Sequence, residues 1–354
     1  MIDYAKLIGK KLKQDVFNAN GILLFVEGTV LSQTHVEALE GHRIYDVSVE
    51  DMADSFTEAA TTTMEKQIEK LVPSQELADN YLDMLNQTKG LFELVTANYT
   101  PPLVQFSDSF FPLLTQVMKE TGVFHQIYLI EGCDDYTYRH SINVGILSAL
   151  IAKLIKRPQE EVVRIGQAGL LHDIGKMLIP DDILTKPGSL TAVEFALMKA
   201  HTVHGYEMIM KMEGADRMLA ECALYHHERI DGSGYPHGKK GSVIPLESQI
   251  VAIADVFDAI CSDRVYKSKT SPFEAAKVLW KAACKGELNA EIATKFIHYV
   301  TSFYIGGRAL LNCGDIVDVI MIYPDEPMNP LVRRGGEYLD LRHHRSLWIE
   351  KMMA

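Results

Sequence analysis

The sequence predicts a mainly α-helical protein with small β-rich pieces at its two ends, and three observations predict it. From about residue 108 to 305, apolar side chains recur at intervals of three and four in one segment after another, the spacing that lines one face of a helix. Short alternating or β-branched apolar runs are confined to the first 50 residues and to those beyond 305. Gly and Pro punctuate the helical segments, as in PDDILTKPGSLT with Pro180, Pro187 and Gly188.

Taken in order, residues 1–50 contain GILLFVEGTVL, broken at Gly21 and Gly28, and then YDVSVE, which together predict a small β-rich module. Residues 51–107 are helical in character and read as a linker or regulatory segment, punctuated at Pro73 and at Pro101-Pro102. Residues 108–305 run helix after helix, through HSINVGILSALIAKLI, EEVVRIGQAGLLHDIGKML, TAVEFALMKAHTVHGYEMIMKM, MLAECALYHHE, SQIVAIADVFDAICS and PFEAAKVLWKAA. Residues 306–354 change character to DIVDVIMIY and EYLDL, which predicts a short β-type tail.

Bulk properties narrow the class. A length of 354 residues, with 47% apolar and 23% charged, is that of a globular chain with room for more than one core. No apolar run reaches the roughly 18 residues of a membrane span, and VGILSALIAKLIK is interrupted by lysine. The N-terminal stretch lacks the apolar segment of a secretory signal. Five scattered cysteines, never spaced Cys-x-x-Cys, argue against a disulfide framework or a thiolate zinc site. The expectation is a cytoplasmic protein without a membrane partner. A formal charge of −12 argues against nucleic-acid binding. It leaves room for an anionic small molecule, provided that side chains or metal ions supply local positive charge.

The densest chemistry is LLHDIGKMLIP, where His172 and Asp173 adjoin on an apolar helix and Lys176 follows one turn later. A buried Asp needs partners. For this segment alone, a hydrogen-bonded core histidine beside an Asp–Lys ion pair explains the pattern equally well. The same kind of polar residue recurs, however. His140 opens one apolar helix, His201 and His204 lie a turn apart on another, His226 and His227 end a third, and Asp255 interrupts QIVAIADVFDAI. Histidines and aspartates on so many successive helices point to a shared centre. Imidazole and carboxylate donors without thiolates suit iron, manganese or zinc, and one carboxylate can bridge two ions.

His172-Asp173 with Lys176, then HHERIDGSGYP at 226–236, then ADVFDAICSDRVYK, resemble the HD-GYP family of metal-dependent cyclic-dinucleotide phosphodiesterases, a branch of the HD superfamily. The resemblance runs from about Tyr136 to Lys267 and implies an HD-type helical bundle. It implies that His140, His172, Asp173 and Asp255 hold one metal, and that Asp173 bridges to a second held by His201, His226 and His227. Lys176 would meet the scissile phosphate or the metal-bound water. Arg264 and Lys267 would hold phosphate, Asp258 would lie near the guanine pocket, and Gly234, Tyr235 and Pro236 would border the cleft or a protein-contact face. His204 is read as structural.

One departure bears on metal number. Where some members of the family carry a glutamate that helps hold a third ion, this sequence has Tyr136, and the neighbouring Asp134 and Asp135 do not share its helical face. The expectation is therefore two divalent ions, iron or manganese. Two cations about 3.5–4 Å apart acidify a bridging water, so the resemblance implies in-line attack on cyclic di-GMP to give linear pGpG, with further cleavage to GMP left open. Preference for cyclic GMP-AMP, and a non-catalytic cyclic-dinucleotide receptor, stand as alternatives. A diguanylate cyclase docking on the GYP loop and a homodimer are the protein partners that the reading allows. The segment KLIGKKLKQDVFNANGILLFVEGTVL also resembles a small module found ahead of some HD-GYP domains, to which no ligand is assigned.

Overall fold

A computed structural model describes residues 75–97, 99–119, 127, 136–262 and 272–353, together with 4–14, 16–17, 23–25, 29, 31, 33–41, 44 and 47–50. The chain divides into two compact units, one of Met1–Glu69 with Tyr304–Ala354 and one of Lys70–Phe303.

In the first unit, β1 (Lys11–Leu12) pairs antiparallel with β4 (Val49–Glu50), and β2 (Val16–Phe17) with β3 (Leu23–Phe25). Helix α1 (Gln33–Gly41) contributes Val36 and Leu39 to a small core with Leu7, Leu12, Val16, Leu31 and Val47. The C-terminal part is more than a tail. β5 (Arg308–Leu311), β6 (Ile316–Met321), β7 (Leu331–Arg334), β8 (Glu337–Asp340) and β9 (Ile349–Met352) form a five-stranded antiparallel sheet in the order β8-β7-β6-β5-β9. Asp340, at the end of β8, is buried and accepts bonds from Tyr323 and Arg342, whose guanidinium lies 3.3 Å from the Tyr323 ring centroid.

The second unit is helical: α2 (Gln75–Thr96), α3 (Leu103–Lys119), α4 (Tyr136–Leu154), α5 (Gln159–Leu171), a 3-10 turn (Ile174–Leu178), α6 (Asp181–Leu184), α7 (Ala192–Lys199), α8 (His201–Lys211), α9 (Arg217–Tyr225), α10 (Leu246–Cys261), α11 (Pro272–Cys284) and α12 (Ala290–Ser302). Helix α4 is its hub. Every residue from His140 to Ala152 is buried, because apart from His140 and Asn143 the run is apolar or small all round rather than on one stripe. Against it pack α2, α3, α5, α10 and α12. Small residues let the α4 and α5 backbones approach: a Cβ on Gly169 would stand 2.7 Å from the Val144 carbonyl oxygen. Local signals set the other boundaries. Thr191 and Glu194 form a reciprocal capping box at the start of α7. Asp216 caps α9 through Leu219 N–H, and Asn289 caps α12 through Ile292 N–H.

No described helix is long and apolar enough to cross a membrane.

Candidate metal centre

Three of the site histidines are placed by one local device. His172 and His226 stand at the C-terminal caps of α5 and α9, and His201 follows Ala200, the C-cap of α7, as the first residue of α8. The last carbonyls of a helix have no intrahelical partner, and each ring takes one up. Nδ1–H of His172 donates to Gly169 O at 2.7 Å, that of His201 to Met198 O at 2.6 Å, and that of His226 to Ala223 O at 2.9 Å. With Nδ1 committed as donor, Nε2 is the free position on each ring, and all three Nε2 atoms face Asp173. They lie 3.2 Å (His172), 3.3 Å (His201) and 3.7 Å (His226) from its carboxylate oxygens.

His140 sits in the first turn of α4 and is oriented differently. Its Nδ1 donates to the buried Asp258 carboxylate at 2.7 Å, while Nε2 points at Asp255 (3.1 Å) and Asp173 (3.6 Å). His227 adds its ring next to His226, with Nδ1 3.8 Å from Asp255. The structure thus brings seven predicted residues together in two groups. Asp173, His201, His226 and His227 form one, and His140, His172 and Asp255 the other, with the donor atoms of each group within 4.8 Å of one another. Lys176 Nζ meets Asp173 Oδ2 at 2.5 Å. His204 is in neither group.

The donor set fits cations. Burial drives the pKa of His201 down to about 4 and that of His227 to about 3, and it holds His226 well below the usual histidine range. Burial opposes ionisation of Asp173, but His172 and Lys176 hold its pKa well below the carboxylate range; Asp255 is held low in the same way, chiefly through its hydrogen bond with His140. Neutral imidazole nitrogens of His201, His226 and His227 therefore face carboxylate lone pairs in a buried space, and two atoms of the centre, His172 Nε2 and Asp173 Oδ1, have no hydrogen-bond partner. Such an arrangement is costly unless positive charge lies between the atoms. At His140 a proton can serve that role: although burial disfavours its charge, Asp255 and Asp258 raise its pKa well above normal. Metal binding there would release that proton.

The GYP loop adjoins this centre. The Tyr235 ring lies 4.6 Å from that of His227, Phe195 of α7 meets its edge, and Lys199 Nζ stands 5.8 Å from its centroid. The Tyr235-Pro236 peptide is cis. Glu228, which sequence reading passed over, ties the loop down. It is 2% exposed and accepts His237 N–H at 2.8 Å and Lys239 N–H at 2.9 Å, one on each oxygen. Glu228→Gln turns one of those acceptors into a donor facing a donor, at a cost of about 1–3 kcal/mol. Amide exchange at His237 and Lys239 is expected to accelerate while metal content holds; unchanged protection there would refute the anchoring role.

Asp258, expected near the guanine pocket, faces the interior of the bundle. It is fully buried beneath His140, where it accepts His140 Nδ1, Asn143 Nδ2 (2.9 Å) and Ser262 Oγ (3.0 Å), so it has no surface to offer a guanine. Its position three residues after Asp255 on α10 places it on the same helix face but deeper in the bundle. Arg264 and Lys267 lie outside the described residues.

Residues 127–292, the helical segment that brings these histidines and aspartates together, match the HD domain family. All seven clustered residues lie within that matched segment, and the DGSGYP run that follows the paired histidines lies within it too. Among known relatives, the cyclic di-GMP phosphodiesterase PA4108 of Pseudomonas aeruginosa is 34% identical over 227 residues, 64% of this chain and 54% of that protein. A cyclic di-GMP phosphodiesterase of Thermotoga maritima is 48% identical over 149 residues, 42% of this chain and 40% of that one. The chain therefore spans only about half the length of such relatives. The solved structure of Bd1817, an HDG"Y"P protein from Bdellovibrio bacteriovorus, has the same fold, with a TM-score of 0.52 over 85% of this chain and 97% of that one at 19% identity.

Proposed function

We propose that the protein is a phosphodiesterase that hydrolyses cyclic di-GMP to linear pGpG with two divalent ions, iron or manganese, at this centre. The observation that carries the reading is the orphaned, buried Asp173 Oδ1 facing neutral histidine nitrogens. It is a position with the chemistry of a bridging ligand, and relatives of this HD domain are named as enzymes acting on that dinucleotide. His140, His172 and Asp255 would hold one ion, His201, His226 and His227 the other, with Asp173 shared. When bound, the ions would supply the positive field that a chain of net charge −12 otherwise lacks, together with an acidified water for attack.

The remaining work falls to the chain's own groups. Lys176, its pKa raised by the neighbouring Asp173 carboxylate against the effect of burial, stays protonated and can donate to a phosphoryl oxygen at the mouth of the site. Tyr235 offers an aromatic face beside His227, suited to exclude water from one side of the bound ester. Tyr136, stacked on His140 at 5.7 Å between ring centroids, occupies the place of a third-ion ligand, which supports two ions rather than three.

The test is a product assay with protein purified without oxygen and supplied with iron or manganese, offering cyclic di-GMP and cyclic GMP-AMP in parallel. Metal-dependent appearance of pGpG, faster than turnover of the mixed dinucleotide, is the expected result. Metal-loaded protein that binds cyclic di-GMP yet yields no linear product would make it a receptor instead.

A further inference from the structure

The histidine that differs from the others in its support also connects the site to a helix outside the family-matched segment. His172, His201 and His226 lean on main-chain carbonyls of their own helix ends. His140 cannot, because in the first turns of α4 its ring has a side-chain carboxylate for a partner, Asp258 on α10. From Asp258 the hydrogen bonds continue. Asn143 Nδ2 donates to Asp258 Oδ1 at 2.9 Å, and Tyr81 Oη donates to Asn143 Oδ1 at 2.7 Å. Tyr81 belongs to α2, which precedes residues 127–292, and it is 0% exposed, as are Asn143 and Asp258.

The polarity of this chain is fixed by its ends. A carboxylate can only accept, so Asn143 must turn its NH2 toward Asp258 and its oxygen toward Tyr81. The Tyr81 hydroxyl is thus the donor that locks the amide in that orientation, the amide helps hold the carboxylate, and the carboxylate holds His140 with Nδ1–H inward and Nε2 toward Asp255 and Asp173. Helix α2 also packs against the 3-10 turn that carries Lys176. Its Phe92 ring meets Tyr138 of α4 edge-on at 5.7 Å, so α2 is seated on α4 by packing as well as by the hydrogen bond.

We propose that Tyr81 is a positioning residue for the metal centre, acting through Asn143 and Asp258 on His140, so that α2 sets the affinity of the ion held by His140, His172 and Asp255. The proposal rests on the binuclear reading of the site. Outer partners of metal-ligating histidines fix ring orientation and basicity, and their loss typically weakens metal binding about 10–100-fold.

Calorimetric titration of the metal-free full chain with Mn2+ tests it. The wild type is expected to take two ions. Asp258→Asn should weaken one of them about 10–100-fold, and Tyr81→Phe, further along the chain, should weaken the same one about 3–10-fold by the same logic, leaving the other unchanged. Added to Asp258→Asn, Tyr81→Phe should have no further effect, because the path is already cut. Phe92→Leu, a packing change on the same helix, should lower the melting temperature without altering either Mn2+ constant. Unchanged constants in Tyr81→Phe, additive effects in the double variant, or equal weakening by Phe92→Leu would each overturn the relay while leaving the two-ion reading intact. A wild-type protein that binds no Mn2+ would overturn both.

Discussion

Asp173→Asn should abolish turnover of cyclic di-GMP while the helical circular dichroism of the protein stays that of the wild type. The substitution keeps shape and volume but removes the charge and replaces one oxygen with an NH2 group. On one side of Asp173 are the Nε2 atoms of His201 and His226, on the other those of His172 and His140, and Lys176 Nζ lies against Oδ2. No orientation of the amide satisfies all of these, and neither ion group keeps a shared anion. Loss of an outer partner alone costs about 10–100-fold in metal affinity or activity, so loss of the shared ligand should exceed a hundredfold. The measurement pairs a pGpG assay with metal analysis of the same sample. Activity within a few-fold of wild type would remove Asp173 from the chemistry.

Gly175→Ala should be the most damaging change at a residue that is not itself a proposed ligand. The 3-10 turn carrying Lys176 runs so close to the start of α8 that a Cβ at Gly175 would collide with the His201 carbonyl oxygen and the Gly205 amide nitrogen, both main-chain atoms. Neither can move without moving the other, since His201 and Gly205 are on the same helix. Overpacking of this kind costs about 1–3 kcal/mol or more, and a unit of this size loses about 2–4 °C of melting temperature per kcal/mol. Because the displaced segment begins with His201, metal binding by the His201 group should fall along with the melting temperature. An alanine variant with wild-type melting and metal content would mean that the two backbones have room between them.

How much of this was legible in the sequence depends on what each residue betrays locally. The seven clustered residues were visible because each interrupts an apolar helix or ends one, and a polar residue there demands a partner. Asp258 was marked only by the family resemblance, and its partner was hidden: His140 is separated from it by 118 positions, and nothing in ADVFDAICSD distinguishes an aspartate that faces the site from one that lies behind it. Tyr81 and Asn143 were hidden for the same reason, as their bond joins two helices across 62 positions. Glu228 was overshadowed by the histidines before it, since a surface glutamate and one that anchors a loop look alike in one dimension. The C-terminal sheet was underestimated because β5, β7 and β9 are four residues each, too short for alternation to stand out beside DIVDVIMIY.

The three histidines at helix ends have an electrostatic consequence. Peptide dipoles along α5 and α9 add up so that each helix terminates with roughly half an electron's negative charge, and both termini lie against Asp173 through the rings that cap them, whereas at His201 the end of α7 meets the start of α8 and the two dipoles oppose each other. Together with the carboxylates of Asp173 and Asp255, these two ends would favour divalent ions over an approaching phosphodiester. On the proposed function, ion binding is expected to precede that of the dinucleotide, whose phosphates the bound ions would attract.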